Sequence, residues 1–274
     1  MKEVRKLPKI FADDHLATLR SCGGYYVCPK SADGKRLGPL VGYAGKYSAD
    51  DGSMHHFVGD VYYNFASAEQ YSMVLEWFAR ALAKCIKASV DVFDGSPMGG
   101  IFLTGALGRA TGIRTIFAEK KVTAVATEGK REESRLVIER HEIWPNDRVA
   151  IVEDVCNNFS TTNEQIKLIT GLGGKVTGVV CFLNRSSHTV VPETEIPVWS
   201  LLHIPTVQYR QSDPAVIADI KTGNVVWEPK PNWPVLAEAM EVASKLPKDP
   251  LRRFSRRPVS VENQLTIFRK PPDS

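Results

Sequence analysis

The sequence predicts an α/β protein: a parallel sheet flanked by helices, with a small N-terminal hood and a C-terminal extension. Three observations predict it. Apolar runs such as VDVF, RVAIV and KVTGVVCFL are continuous rather than alternating, as strands covered on both faces are. They take turns with stretches of helical period, of which STTNEQIKLITG is the clearest. The junctions carry glycines and helix-capping residues, the punctuation of βαβ units whose strands run parallel.

Residues 1–66 read as the hood, rich in Gly, Tyr and Asp, with strand-like pieces GGYYVC (23–28) and FVGDVYYNF (57–65). Helical spacing begins with SAEQYSMVLEWFARALAKCI, where Ser67 is the expected N-cap and Glu69 and Gln70 fill the first turn. That helix opens a core expected over 67–205. VDVFDGSPMGGIFLTGALGRATG (90–112) reads as strand, glycine turn and a helix ending at Gly112, and IRTIFAEK (113–120) as a strand. After a polar stretch over 121–142, DRVAIVEDV (147–155) is again a strand. STTNEQIKLITGLGG (160–174) is a helix capped by Ser160 and closed by glycine, and KVTGVVCFLNRS (175–186) and IPVWSLLHI (196–204) are strands. Residues 206–274, with many prolines and RRFSRRP at 252–258, read as the extension.

Bulk properties narrow the classes. The 274 residues are 43% hydrophobic and 24% charged, ordinary for a protein with a sizeable core. A net charge of +4 gives no reason to expect a nucleic-acid partner. No apolar run of about 18 residues predicts a membrane span, and no apolar signal segment opens the chain. The five cysteines are odd in number and lack a C-x-x-C pair, which predicts reduced thiols and a cytoplasmic setting.

Chemistry concentrates at strand exits. Glu153 and Asp154 end an apolar run, and Asn157, Asn158, Phe159, Ser160, Thr161 and Thr162 lead into a helix. A helix N-terminus attracts an anion through unpaired N–H groups and its dipole. Two carboxylates repel that anion and instead bind hydroxyls or a divalent cation. Phosphate on one side with a diol or Mg²⁺ on the other describes a phosphorylated ribose. The plain alternative is a capped helix with two exposed acids before it. In FDGSPMGGI, the turn Gly95, Ser96, Pro97, Met98, Gly99 and Gly100 lets backbone amides approach a second anion, or else its glycines serve packing alone.

On these segments the sequence resembles the type I phosphoribosyltransferases, and among them most closely the orotate enzymes. The matching stretches, FDGSPMGGIFLTGALGRATG, IRTIFAEKK, the polar loop, RVAIVEDV with its loop and helix, and KVTGVVCFLNRSS, cover roughly residues 57–205. The resemblance implies transfer of a 5-phosphoribosyl group from 5-phosphoribosyl-1-pyrophosphate (PRPP) to a nucleobase, with Mg²⁺ as cofactor, in a homodimer. It implies that Glu153 and Asp154 hold the ribose hydroxyls and the metal, that residues 157–162 seat the 5-phosphate and that residues 95–100 seat the pyrophosphate. It implies that residues 121–142 form a mobile catalytic loop, that Lys120 just before it and Lys121 and Lys130 within it are the expected catalytic cations, and that Arg185 lies beside the base. The sequence also departs from the family. Phe159 stands where the phosphate loop has glycine, Asn157 stands where it has threonine, Gly99 replaces a lysine, and Glu119-Lys120 replaces a basic pair. Those departures motivate two rivals: a non-catalytic nucleotide- or PRPP-binding regulator of the same fold, and an enzyme for a purine or another base.

Overall fold

The computed structural model describes residues 8–12, 14–124 and 133–245. In chain order the hood holds α1 (His15–Ser21), β1 (Tyr25–Val27), β2 (Leu40–Ser48), β3 (Met54–Gly59) and β4 (Val61–Tyr63). Asp14 caps α1 by accepting the Ala17 N–H at 2.8 Å. The 57–65 stretch is therefore two strand pieces, β3 pairing with β2 and β4 with β1, both antiparallel.

The core follows: α2 (Ala66–Glu69), α3 (Ser72–Ala83), β5 (Val92–Gly95), α4 (Gly100–Thr111), β6 (Arg114–Phe117), β7 (Glu119–Ala124), β8 (Glu133–Val137), β9 (Arg148–Cys156), α5 (Ser160–Gly171), β10 (Lys175–Asn184) and β11 (Val198–His203). The helix expected from Ser67 is broken at Gln70 and Tyr71, and Ser67 is no N-cap. Its hydroxyl donates backward to the Asn64 carbonyl at 2.7 Å inside the short α2. Gly112 closes α4 in the left-handed conformation, φ 75°, as its position predicted.

Five parallel strands lie in the order β11-β10-β9-β5-β6. The winding reverses between β5 and β9, which opens a crevice at their carboxyl ends. Strand alternation sends Ala150 and Val152 of β9 into the core with α3 and α4, where Phe78 and Phe182 meet at 4.5 Å. Val149 and Ile151 point to the opposite face, packing with Ile169 of α5. Each such fully buried side chain contributes on the order of 1.5–3 kcal/mol.

After the sheet, α6 (Ile217–Lys221), β12 (Val225–Val226) and α7 (Trp233–Lys245) return to the hood. β12 pairs in parallel with β2, and Leu236 packs with Tyr26 and Val41. Arg36 fastens the return, reaching Asp60 at 2.5 Å and Asp219 at 3.1 Å. The early part of the region expected as an extension is thus packed onto the hood; RRFSRRP lies outside the described residues.

Candidate functional site

The turn after β5 and the loop after β9 border the crevice. In the turn, the amides of Ser96, Gly100 and Ile101 are taken by the carbonyls of Val152, Ser96 and Met98. Those of Met98 and Gly99 have no backbone acceptor within the turn. The Pro97–Met98 peptide is cis, and the Met98 side chain is 80% exposed. Gly99 and Gly100 are there for room. A Cβ on Gly99 would collide with the Asp154 carboxylate, and one on Gly100 with the Val152 carbonyl. A lysine in place of Gly99 is therefore incompatible with Asp154 where it stands.

Because β9 alternates, the adjacent acids separate. Asp154 faces Gly99 and the Val155 amide, which donates to its Oδ1 at 2.7 Å. Both acids are half-buried, and burial pushes both upward. Glu153 Oε1 lies 2.7 Å from Ser96 Oγ, its carboxyl also bonds the Thr162 side chain, and burial lifts it to about 8. Ser96 also meets the Gln165 side-chain oxygen, while Gln165 Nε2 donates to Asp94 Oδ2 at 2.8 Å. One hydroxyl hydrogen cannot serve two acceptors. With the serine hydrogen on Gln165, Glu153 brings a proton of its own, in keeping with its raised pKa. Fully buried Asp94 is lifted to about 7 by its burial.

A neighbour missed in the sequence, Glu69, lies within electrostatic reach of Asp154. Burial first and Asp154 second raise Glu69 to about 7, Lys230 opposes them, and its Oε1 is enclosed with no hydrogen-bond partner.

The loop after β9 is held by Phe159 in the left-handed region, φ 57° and ψ 15°. Its side chain is buried in a cluster with Cys156, Ile169 and Val191, and the residue also borders the cleft described below. Ser160 is not the N-cap expected. Phe159 occupies that place without a side-chain cap, and Asn158 Oδ1 accepts the Ser160 N–H at 3.2 Å and its hydroxyl at 3.1 Å. Asn157 Oδ1 accepts from Gln208 Nε2 at 2.8 Å.

Beside this loop a cleft of about 420 Å³ is lined by Asn157, Arg185, Ser186, His188, Thr206 and Gln208, among others. Arg185 stacks over the Tyr43 ring at 4.5 Å, with Nε and Nη2 enclosed and unpartnered. Of the other hood rings, Tyr25 stacks on Tyr63 at 5.4 Å, and Tyr26 donates to the Pro39 carbonyl.

The expected cations are less gathered. Lys120 and Lys121 lie on the hairpin of β7 and β8, where Lys121 pairs with Glu139 at 2.6 Å. Lys130 lies outside the described residues. His15 stacks on Trp77 and His56 bonds the Tyr43 carbonyl, and no group of three or more His, Cys, Asp or Glu able to hold a metal occurs among the described residues. The cysteines are free, as expected.

No protein-family model matches the chain. The orotate phosphoribosyltransferase of Caldanaerobacter subterraneus subsp. tengcongensis is 31% identical over 156 residues, 56% of this chain and 75% of that protein. That of Heliobacterium modesticaldum is 28% identical over 152 residues, 54% of this chain and 73% of that one. Among solved structures, the orotate phosphoribosyltransferase of Mycobacterium tuberculosis H37Rv is 18% identical with a TM-score of 0.41, covering 60% of this chain and 90% of its own. The relationship rests on the sequence identities, not on such a superposition.

Proposed function

Because this chain belongs to the orotate phosphoribosyltransferase family, within the type I phosphoribosyltransferases, we propose that the crevice between β5 and β9 is where it works. The protein is a phosphoribosyltransferase: it moves the 5-phosphoribosyl group of PRPP to orotate or a related base and releases pyrophosphate. The observation that supports the placement is the packing of Gly99 on Asp154, with Glu153 joining Ser96 of the turn to Thr162 of α5, where the sheet's winding reverses.

Attack by a base nitrogen on the anomeric carbon develops positive charge on the ribose as pyrophosphate departs. Asp154, enclosed at the strand end, stabilises that charge and binds the diol. Glu153, held by Ser96 and Thr162, serves as a hydrogen-bonding partner for the same sugar. The amides of Met98 and Gly99 take the pyrophosphate, and Asn157, Asn158 and Thr161 take the 5-phosphate at the start of α5, where the helix dipole favours an anion. Arg185, stacked over Tyr43 and lining the cleft, suits a planar anionic base. That favours orotate, which carries a carboxylate, over a neutral purine.

Hard oxygen donors suit Mg²⁺. Asp154, with Glu69 and its orphaned oxygen near, fits such an ion, whereas Glu153 is committed to Ser96 and Thr162. The ion would supply charge neutralisation to the departing pyrophosphate. A homodimer and a cytoplasmic setting belong to the same proposal. The free cysteines suit that setting, and no described helix is long and apolar enough to cross a membrane.

Pyrophosphate release from PRPP with a panel of orotate, uracil and adenine tests the reading. Orotate is expected to be preferred, and Asp154→Asn to lower kcat/KM about a hundredfold. PRPP binding without turnover on any base would favour the regulatory rival, which the Asn157-Asn158-Phe159 departure motivates. Adenine as best substrate would favour the purine rival.

A further inference from the structure

Resting on this reading, we propose that Gln208 is a positioning residue for PRPP: by holding the oxygen of Asn157 it turns that side chain's amino group toward the 5-phosphate. A primary amide carries its acceptor on one side and two N–H donors on the other, so fixing one fixes both. Gln208 Nε2 donates to Asn157 Oδ1 at 2.8 Å, which leaves the Asn157 amino group facing away from Gln208. The next residue repeats the device. Asn158 Oδ1 is occupied by the amide and hydroxyl of Ser160, so its amino group is also the free end.

This arrangement answers the loop's composition. A hydroxyl residue rotates to donate to an anion, but an asparagine can equally present its oxygen and repel one. Ser160 does not help, since both its hydrogens are spent on Asn158. An asparagine at this place therefore needs something to choose its orientation. Gln208 is well placed for that. Its neighbour Tyr209 exchanges both backbone hydrogen bonds with Val58 of β3, at 3.0 and 2.9 Å. The glutamine thus stands on a fixed support at the rim of the cleft that Asn157 and Arg185 also line.

The test measures ribose 5-phosphate binding by calorimetry, and KM and kcat with PRPP, for the wild type, Gln208→Leu and Gln208→Glu. Gln208→Leu is expected to weaken ribose 5-phosphate about tenfold, the size of one lost hydrogen bond to a charged group. KM for PRPP should rise in step, with kcat within about twofold and the melting temperature unchanged. Gln208→Glu is expected to cost about a hundredfold, because its carboxylate draws the Asn157 amino group away and adds repulsion. In an Asn157→Thr background, where no amide needs orienting, Gln208→Leu should change neither constant. A wild type that binds ribose 5-phosphate but is indifferent to Gln208→Leu overturns this inference alone, as does an equal loss in the threonine background. A wild type that neither binds ribose 5-phosphate nor consumes PRPP overturns the transferase reading with it.

Discussion

The turn after β5 and the loop after β9 are both tight, for opposite reasons. In the turn, Gly99 has an ordinary right-handed backbone, φ −66° and ψ −29°, and any residue could adopt it. Glycine is needed there because the Asp154 carboxylate crowds the space a Cβ would take, and at Gly100 because the Val152 carbonyl does. In the loop, Phe159 has the left-handed backbone that glycine normally supplies, at a cost of about 1–2 kcal/mol. Burying its ring, worth roughly 1.5–3 kcal/mol, offsets that cost. The difference teaches that glycine can mark crowding, and that a strained backbone can be held by the side chain that strains it.

Changes at Phe159 should break this contrast most forcefully. Phe159→Ala removes the buried ring and keeps the positive φ, so it is expected to destabilise the protein by about 3–5 kcal/mol in urea unfolding. Phe159→Gly deletes one carbon more, yet it relieves the backbone and should be about 1 kcal/mol less damaging than alanine. Equal losses would mean that the loop relaxes out of the left-handed region once the ring is gone. Across the crevice the pattern reverses. Gly100→Ala sets a methyl against a backbone carbonyl that cannot step aside and should cost about 3 kcal/mol. Gly99→Ala meets only a carboxylate that can rotate, so unfolding should register about 1 kcal/mol or less while PRPP turnover falls with Asp154 displaced. If the two alanines proved equally destabilising, crowding by Asp154 would be as rigid as crowding by backbone.

The sheet was legible because its strands are apolar runs that only a covered parallel sheet accommodates, and Gly112 marked its helix end correctly. The acids and both turns were legible as a cluster because strand exits share one rim. Their inner arrangement was not. The opposite facing of Glu153 and Asp154 follows from strand alternation, but which neighbours each would meet depends on tertiary packing. Asp94 was the one visible hint of the buried polar chain, an acid within an apolar strand. Gln165, Glu69 and Gln208 gave none, since a polar residue on a helix or loop is ordinarily solvated. That Phe159 would bury its side chain with Cys156, Ile169 and Val191 was equally hidden, since a large residue at a glycine's place says nothing of which core receives it.

Glu153 joins the two turns, since Ser96 of one and Thr162 from the helix of the other both bind it, and its proton offers the finest test of the contrast. An unfolded chain holds a glutamate proton with a pKa of about 4.3. Folding lifts Glu153 to about 8, chiefly by burial, so the folded state binds the proton more tightly. The associated stability is complete below about pH 4 and drains as the pH climbs through 8, as the charged carboxylate is forced into an enclosed site. Asp94 and Glu69, both lifted to about 7, act in the same direction. Glu153→Gln stays neutral at every pH and still offers an oxygen to Ser96 or Thr162. Its melting temperature should therefore fall less between pH 5 and pH 9 than that of the wild type, by a few degrees. Were the two slopes the same, Glu153 would already be ionised in the folded protein. The serine hydrogen would then belong to it, and the Gln165 amide would have to turn its amino group to Ser96 and its oxygen to a protonated Asp94.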